Sequence, residues 1–210
     1  MKPTHRRGWL TAWAVMLLLA YSAPAEAQNL ALGKPVIDQS TRWNERAQYD
    51  GQNVTDGVVC EIDQNENGTG LSSYWIGSEQ WQFGQYVTID LEAPTMITEI
   101  HLRNTHNAQF NDRGTGDFQI EAGNTLGVGG TLLKPAVDII DAVVILTGTL
   151  TPSGSTPPIC PDEIPPDIFD STTGLDTGGQ AFRYIRFVTI SAQRSNKHVG
   201  LNEIEIYGSQ

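Results

Sequence analysis

Apolar residues recur at every second position along this chain, in short runs set apart by polar stretches. Val87, Ile89 and Leu91 share one face of Gln85–Leu91, and Ile100 and Leu102 share one face of Met96–Arg103. Asp117–Ala122 and Phe182–Ile190 repeat the alternation, and Gly200–Gly208 closes it with Leu201, Ile204 and Ile206 turned inward and Glu203 at the strand's mouth. A period of two is the mark of half-buried strands. Tyr74–Gly77 is further strand material, and Ala93-Pro94 breaks the pattern ahead of Met96. Asn29–Ile37 alternates weakly around Pro35 and reads as an edge strand. No helix-period segment follows the N-terminus and no internal repeat is visible. The pattern predicts an all-β chain of short, spaced strands, hence a sandwich or barrel.

One interval departs from this texture. Asn124–Gln180 is rich in Gly, Pro, Thr and Asp, including Pro157-Pro158, Pro161 and Pro165-Pro166. Within it only Val143–Leu146 reads as a buried strand. The remainder is predicted to be an irregular, variable insertion, either ligand-facing or decorative, in a single domain spanning residues 28–210.

The N-terminus lies outside that domain. Lys2, Arg6 and Arg7 form a basic segment, Trp9–Tyr21 is apolar, and Ala25-Glu26-Ala27 has the small-x-small form that signal peptidase cleaves. The apolar run is short for a membrane span of about 20 residues, which favours a cleaved signal over residues 1–27 against a retained anchor. No membrane insertion is expected after cleavage, and the mature domain is expected to be secreted, periplasmic or on the cell surface.

Charge narrows the partners. The whole chain carries a formal −11, and loss of the basic signal makes the remainder more negative still. A strongly acidic domain is a poor partner for nucleic acid or anionic lipid, both polyanions. It suits neutral glycans and Ca2+, although an acidic surface also serves solubility alone. The only cysteines are Cys60 and Cys160. In an exported chain they are expected to form a disulfide rather than two buried thiols, and closing a loop of ~100 residues would add up to ~4 kcal/mol on the chain-entropy model.

Two acidic turns invite metal chemistry. In Asn53-Val-Thr-Asp56-Gly57-Val58, Asn and Asp tolerate left-handed backbone and Gly57 relieves its steric cost. Such a turn exposes carbonyl oxygens beside a carboxylate, a donor set for a hard cation such as Ca2+. The alternative is that Asp56 only caps its turn and Glu203 is a surface charge. Asp63-Gln-Asn65-Glu-Asn67-Gly68 opens like a helix-loop-helix calcium loop, but Tyr74 stands at the twelfth position where a bidentate Glu is needed. It reads as a solvated acidic turn.

Taken together, Asn29-Leu-Ala-Leu-Gly-Lys-Pro, Thr55-Asp-Gly, Tyr74-Trp, Tyr86-Val-Thr-Ile-Asp-Leu, Asp112-Arg-Gly-Thr-Gly-Asp-Phe, Arg183-Tyr-Ile-Arg and Gly200-Leu-Asn-Glu-Ile-Glu-Ile-Tyr-Gly occur in order. They resemble the discoidin (coagulation-factor C-type) domain, which shares the galactose-binding-like jelly roll with fucose-binding lectins and bacterial carbohydrate-binding modules. The resemblance covers the mature chain apart from Asn124–Gln180. It implies a jelly-roll β-sandwich with a structural Ca2+ beside the sugar-binding loops. By the same resemblance, Asn53 and Val58 would give backbone carbonyls, Asp56 a carboxylate, Asn202 a carbonyl and Glu203 a carboxylate, with a hydroxyl from Thr69 or Ser72.

For the sugar site the resemblance implies Arg and His side chains on loops at the calcium end, because planar Arg donors can bridge adjacent hydroxyls. Arg113 matches one such Arg. Arg103 stands about one residue from the place of the other, and no His matches. His106, Asn111 and Trp43 are candidates by chemistry alone. Arg113 could equally form a structural salt bridge to Asp112 or Asp117, and Trp43 is either half-buried against the sandwich or an exposed platform. Gly-x-Ser-x-Gly, His-Glu-x-x-His and a phosphate-cradling glycine loop are all absent. The sequence therefore points to a non-catalytic domain that binds a glycan or glycoconjugate. The alternative is an adhesive domain for a cell-surface protein.

Overall fold

The computed structural model describes residues 27–45, 47–59, 74–78, 84–105, 113–129, 136–152, 165–193 and 198–210. Among the described residues the strands are β1 Val36–Gln39, β2 Trp75–Ile76, β3 Tyr86–Asn104, β4 Asp117–Gly123, β5 Leu126–Val128, β6 Val137–Ile139, β7 Val143–Thr149, β8 Asp167–Asp170, β9 Ala181–Thr189 and β10 Gly200–Ser209. Short 3-10 turns at Trp43–Glu45, Ala47–Tyr49 and Gly51–Thr55 lie between β1 and β2.

The long strand β3 serves two layers. Its first part pairs with β1 and β9. Beyond a register break between Asp90 and Thr95, its second part lies between β10 and β8. One layer is β1-β3-β9-β4-β7 and the other is β2-β10-β3-β8, with every pair antiparallel. This is an antiparallel jelly-roll sandwich. The inner faces meet through aromatic rings: Phe118 of β4 packs edge-on to Phe169 of β8 at 5.4 Å, and Trp75 of β2 packs edge-on to Phe187 of β9 at 6.4 Å. Ile89, Leu91, Ile100, Leu102, Ile204 and Ile206 are fully buried between the layers, as the alternation requires.

The change of layer follows from local chemistry. Pro94 has no N–H to give a ladder, and Glu92 sits at φ 68. Asp90 holds the corner, accepting from Glu92 N at 2.7 Å and from Arg183 Nε and Nη2 at 2.7 and 2.8 Å. The Arg183 bonds hold the Asp90 carboxyl below its ordinary value. The stability this pair contributes is therefore present above the ordinary carboxylate range and is lost as pH falls through the lowered value. Asp90→Ala is expected to cost about 1–2 kcal/mol at neutral pH, allowing for the exposure of Arg183. Urea titrations at pH 7 and pH 3 should show the cost shrinking in acid.

Two expectations are corrected by the structure. Asn29–Ile37 is not one strand: only Val36 onward pairs, because Gly33 turns at φ 70 and Pro35 lacks an N–H. Asn29 and Leu30 still lie against the last strand, with Leu30 N donating to Ile206 O at 2.7 Å and Ile206 N donating to Asn29 Oδ1 at 3.0 Å. Asn124–Gln180 is less irregular than expected, since its described residues are built into the sandwich. It contributes the β5–β6 hairpin, and its β7 and β8 form edges of the two layers. Ile139, Ile145, Leu146, Leu150 and Leu175 from this interval are buried. Val143–Leu146 is buried only in its second half, since Val143 and Val144 are 45% and 52% exposed. Among the described strands β7 pairs with β4 alone, and a slip between Ile120 and Glu121 turns Ile145 and Leu146 toward the core together.

Candidate functional site

The predicted residues gather where β10 begins. Gly200 and Leu201 pair with Ile76 and Trp75 of β2. Against β3 the register slips between Leu201 and Glu203, so Asn202 is the extra residue of a bulge. As a result Leu201, Asn202, Glu203 and Ile204 are all buried, where simple alternation would leave every second one exposed.

Glu203 is thus a carboxylate with no exposed surface. Its Oε1 accepts from Gly57 N at 3.2 Å, and its Oε2 has no partner among the described residues. Burial, reinforced by the charge of Asp56, pushes the Glu203 carboxyl up to about 9. Asp56 follows the Gly51–Thr55 turn and accepts from Val58 N at 2.8 Å. Asn53 anchors the same turn, its Nδ2 donating to Gln48 O at 2.9 Å and Tyr74 O at 3.2 Å. Gly57 sits at φ 76, and a Cβ there would come within 2.7 Å of Leu32. Asn202 Nδ2 reaches Val58 O at 3.4 Å.

Asp56, Val58, Asn202 and Glu203 therefore lie close together, with Asn53 on the same turn, while Thr69 lies outside the described residues. Their donors are all oxygens apart from the amide nitrogens of Asn53 and Asn202, and one carboxylate oxygen is left unpaired in the interior. Among the described residues no three His, Cys, Asp or Glu side chains cluster as a metal centre. The set is two carboxylates and carbonyls, which suits a hard cation and not a transition metal. A buried carboxyl with an unpaired oxygen beside a second carboxylate must either keep its proton or hold a cation, and these oxygen donors fit a hard cation.

Beside this turn lies an aromatic patch. Trp43 is half-buried, resting on the buried group Tyr49, Tyr74 and Ile76. The Arg113 guanidinium lies 4.5 Å from the centre of the Trp43 ring, and His198 meets the same ring edge-on at 5.4 Å. Tyr49 supports Trp43 at 5.1 Å and is itself supported by Tyr74 at 5.3 Å. The loop carrying Trp43 is tied down by the Arg42–Asp50 ion pair and by the Arg42–Gly77 bridge. His198 is held by its neighbour, since Gly77 N donates to Val199 O at 3.0 Å.

The structure thus joins Trp43 and Arg113, while His106 and Asn111 lie outside the described residues. It adds His198, which a sequence comparison alone passes over because it lies far from the other candidates in the chain. Its position two residues before Gly200, at the mouth of the last strand, is the signal that would have found it. Of the two expected salt-bridge partners of Arg113, Asp112 lies outside the described residues, and Asp117 is engaged by Thr149 Oγ1 and Ser191 Oγ at 2.5 and 3.0 Å. Arg103 points elsewhere and donates to Glu205 at 3.0 Å. Cys60 and Cys160 lie outside the described residues.

No protein-family model and no curated protein sequence matches the chain. Solved structures do match it. The CBM32-3 module of a family 31 glycoside hydrolase from Clostridium perfringens aligns with TM-score 0.54 and 14% identity, over 87% of this chain and 94% of that one. A fucolectin from striped bass (Morone saxatilis) serum aligns with TM-score 0.56 and 20% identity, over 87% of this chain and 49% of that one. The family 32 CBM of NanJ from C. perfringens, solved in complex with galactose, aligns with TM-score 0.50 and 10% identity over 80% and 90%. These likenesses are of fold.

Proposed function

We propose, on the premise that the chain has the galactose-binding-like jelly-roll fold, that it is a non-catalytic domain that binds a neutral glycan at the Trp43–Arg113–His198 patch. The observation that carries this reading is the Arg113 guanidinium laid over Trp43 beside His198. The indole backs the guanidinium and fixes its plane, so its planar donors meet adjacent sugar hydroxyls with little rotamer entropy to lose. His198 adds a ring nitrogen that can donate or accept. Structural neighbours that include carbohydrate-binding modules, one of them holding galactose, support the choice of ligand class. Few polar contacts set against displaced water suggest a weak single-site affinity, with Kd near a millimolar, or about −4 kcal/mol.

The same reading includes a structural Ca2+. Asp56 and Glu203 would hold it with carboxylates, and Asn53, Val58 and Asn202 with carbonyls. Bound there, the ion would neutralise two repelling carboxylates and tie the Asn53–Val58 turn to β10. Export by a cleaved signal and a Cys60–Cys160 disulfide belong to this reading as well, and intact mass with N-terminal sequencing of the purified protein checks both.

A glycan array probed with the purified chain, with and without EDTA, tests the proposal. Binding to neutral glycans that weakens in EDTA is the expected result. An array with no glycan signal in either condition, alongside capture of a cell-surface protein, would favour the adhesive alternative.

A further inference from the structure

We infer that Asn104 is a positioning residue of the glycan site, its side-chain amide standing in for a strand partner on the edge of Thr115 away from Ala192 and fixing the Arg113 turn against β10. The inference rests on reading Arg113 as a glycan contact.

β3 ends at Asn104, and the chain returns to the described structure at Arg113, next to β10. Asn104 is 7% exposed. Its Oδ1 accepts from Thr105 N at 2.9 Å and from Thr115 N at 3.0 Å. Its Nδ2 donates to Thr115 O at 2.8 Å and to Thr151 O at 3.3 Å. The exchange with Thr115 is reciprocal, N–H to oxygen in both directions, which is the pairing that two opposed residues make in an antiparallel ladder. One oxygen thereby ties Thr105, the residue after β3, to Thr115, two residues beyond Arg113.

From Thr115 the constraint passes to β10. Thr115 is fully buried and its Oγ1 donates to Gly200 O at 2.8 Å. Gly200 is packed so closely that an added Cβ would lie 2.5 Å from Trp75 O and 3.0 Å from Arg113 O. The Arg113 backbone thus rests on the strand mouth, two residues from His198. Gln193 N completes the frame by donating to Gly114 O at 3.0 Å.

A side-chain amide offers two donor hydrogens and two acceptor lone pairs, and here all four are used. Asn104 therefore has no group left for a ligand and acts on binding through Arg113. A residue that only stabilised the fold would lower the melting temperature and leave the affinity of the folded molecules unchanged.

The test is a double-mutant cycle with Asn104→Ala and Arg113→Ala on the same glycan array, which includes galactose, at a temperature where every variant is folded by near-ultraviolet circular dichroism. Asn104→Ala is expected to weaken glycan binding at least about tenfold, and the double variant to bind no more weakly than Arg113→Ala alone, because residues acting through one another are not additive. If Arg113→Ala loses binding and Asn104→Ala keeps it, the positioning role is overturned and the glycan reading stands. If Arg113→Ala binds like wild type, the reading beneath it has failed. A second measurement needs no variant: in the wild-type protein the Thr105 and Thr115 amides should exchange with deuterium at least on the order of 100-fold more slowly than in a free peptide. Exchange at the free-peptide rate overturns the clamp.

Discussion

In EDTA at pH 8, Glu203→Gln is expected to melt above the wild-type protein, and in saturating calcium the order is expected to reverse. The wild-type carboxylate is wholly buried, with one oxygen unpaired and Asp56 nearby adding to the repulsion. Without a cation it is a net cost. At pH 8, below its raised value, the metal-free carboxyl is held mostly protonated against its ordinary value, and Gln keeps the shape without needing that proton, which relieves the cost in the metal-free state. With calcium the ionised carboxylate becomes a ligand. An ion bound only by the native state adds ~2.7 kcal/mol at a hundredfold excess over its Kd, roughly 5–10 °C for a domain of this size.

The pH dependence has a defined sign. The native carboxyl is raised to about 9 from an ordinary value of 4.5, so the native state holds that proton more tightly than the unfolded chain. Its contribution is complete below the ordinary value and is lost as pH climbs toward the raised one. Metal-free wild type should therefore lose stability across that window, and Glu203→Gln should not. Thermal melts of both proteins at pH 5 and pH 8, with calcium or EDTA, read all of this at once. A wild-type curve that ignores calcium at both pH values would remove the cation from the account.

Arg113→Ala is expected to weaken glycan binding by roughly ten- to a hundredfold, because hydrogen bonds from a charged donor carry about 1.5–3 kcal/mol each. From a millimolar starting point, that places Kd at roughly 10–100 mM, which NMR titration at high glycan concentration still reads. The stability cost should be smaller, about 0.5–2 kcal/mol for the lost stacking on Trp43. Trp43→Ala removes the support of both Arg113 and His198 and is expected to lose binding as completely. His198→Ala should weaken binding with little change in melting temperature, since His198 lies at the edge of the patch. NMR titrations with galactose and with the best array glycan separate these cases. Unchanged affinity in Arg113→Ala and His198→Ala together would move the sugar site elsewhere.

Much of this architecture is legible along the chain. Val87-Thr-Ile89-Asp-Leu91 and Phe182–Ile190 announce strands because alternation is a local property, visible without knowing what lies opposite. The resemblance in Asn53–Val58 and Gly200–Gly208 likewise placed two distant segments together, and Gly57 N does meet the Glu203 carboxylate. The short edge strands are another matter. β8, Asp167-Ile-Phe-Asp, is only four residues long, too short for a period to show, and the slip opposite Ile120 and Glu121 breaks the alternation of β7, so a Pro- and Gly-rich interval hid two edges of the sandwich.

What the sequence by itself determined is the set of alternating strands, the sandwich-or-barrel class they imply, and, through the family resemblance, the acidic turn paired with the last strand. Only the tertiary structure decided that Asn202 bulges and carries Glu203 into the interior, that the Asn104 amide replaces a strand partner for Thr115, and that His198 joins Arg113 at Trp43. The physical reason is range. Hydrophobic period is written residue by residue, whereas the meeting of these side chains depends on strand register and on how distant loops close over one end of the sandwich.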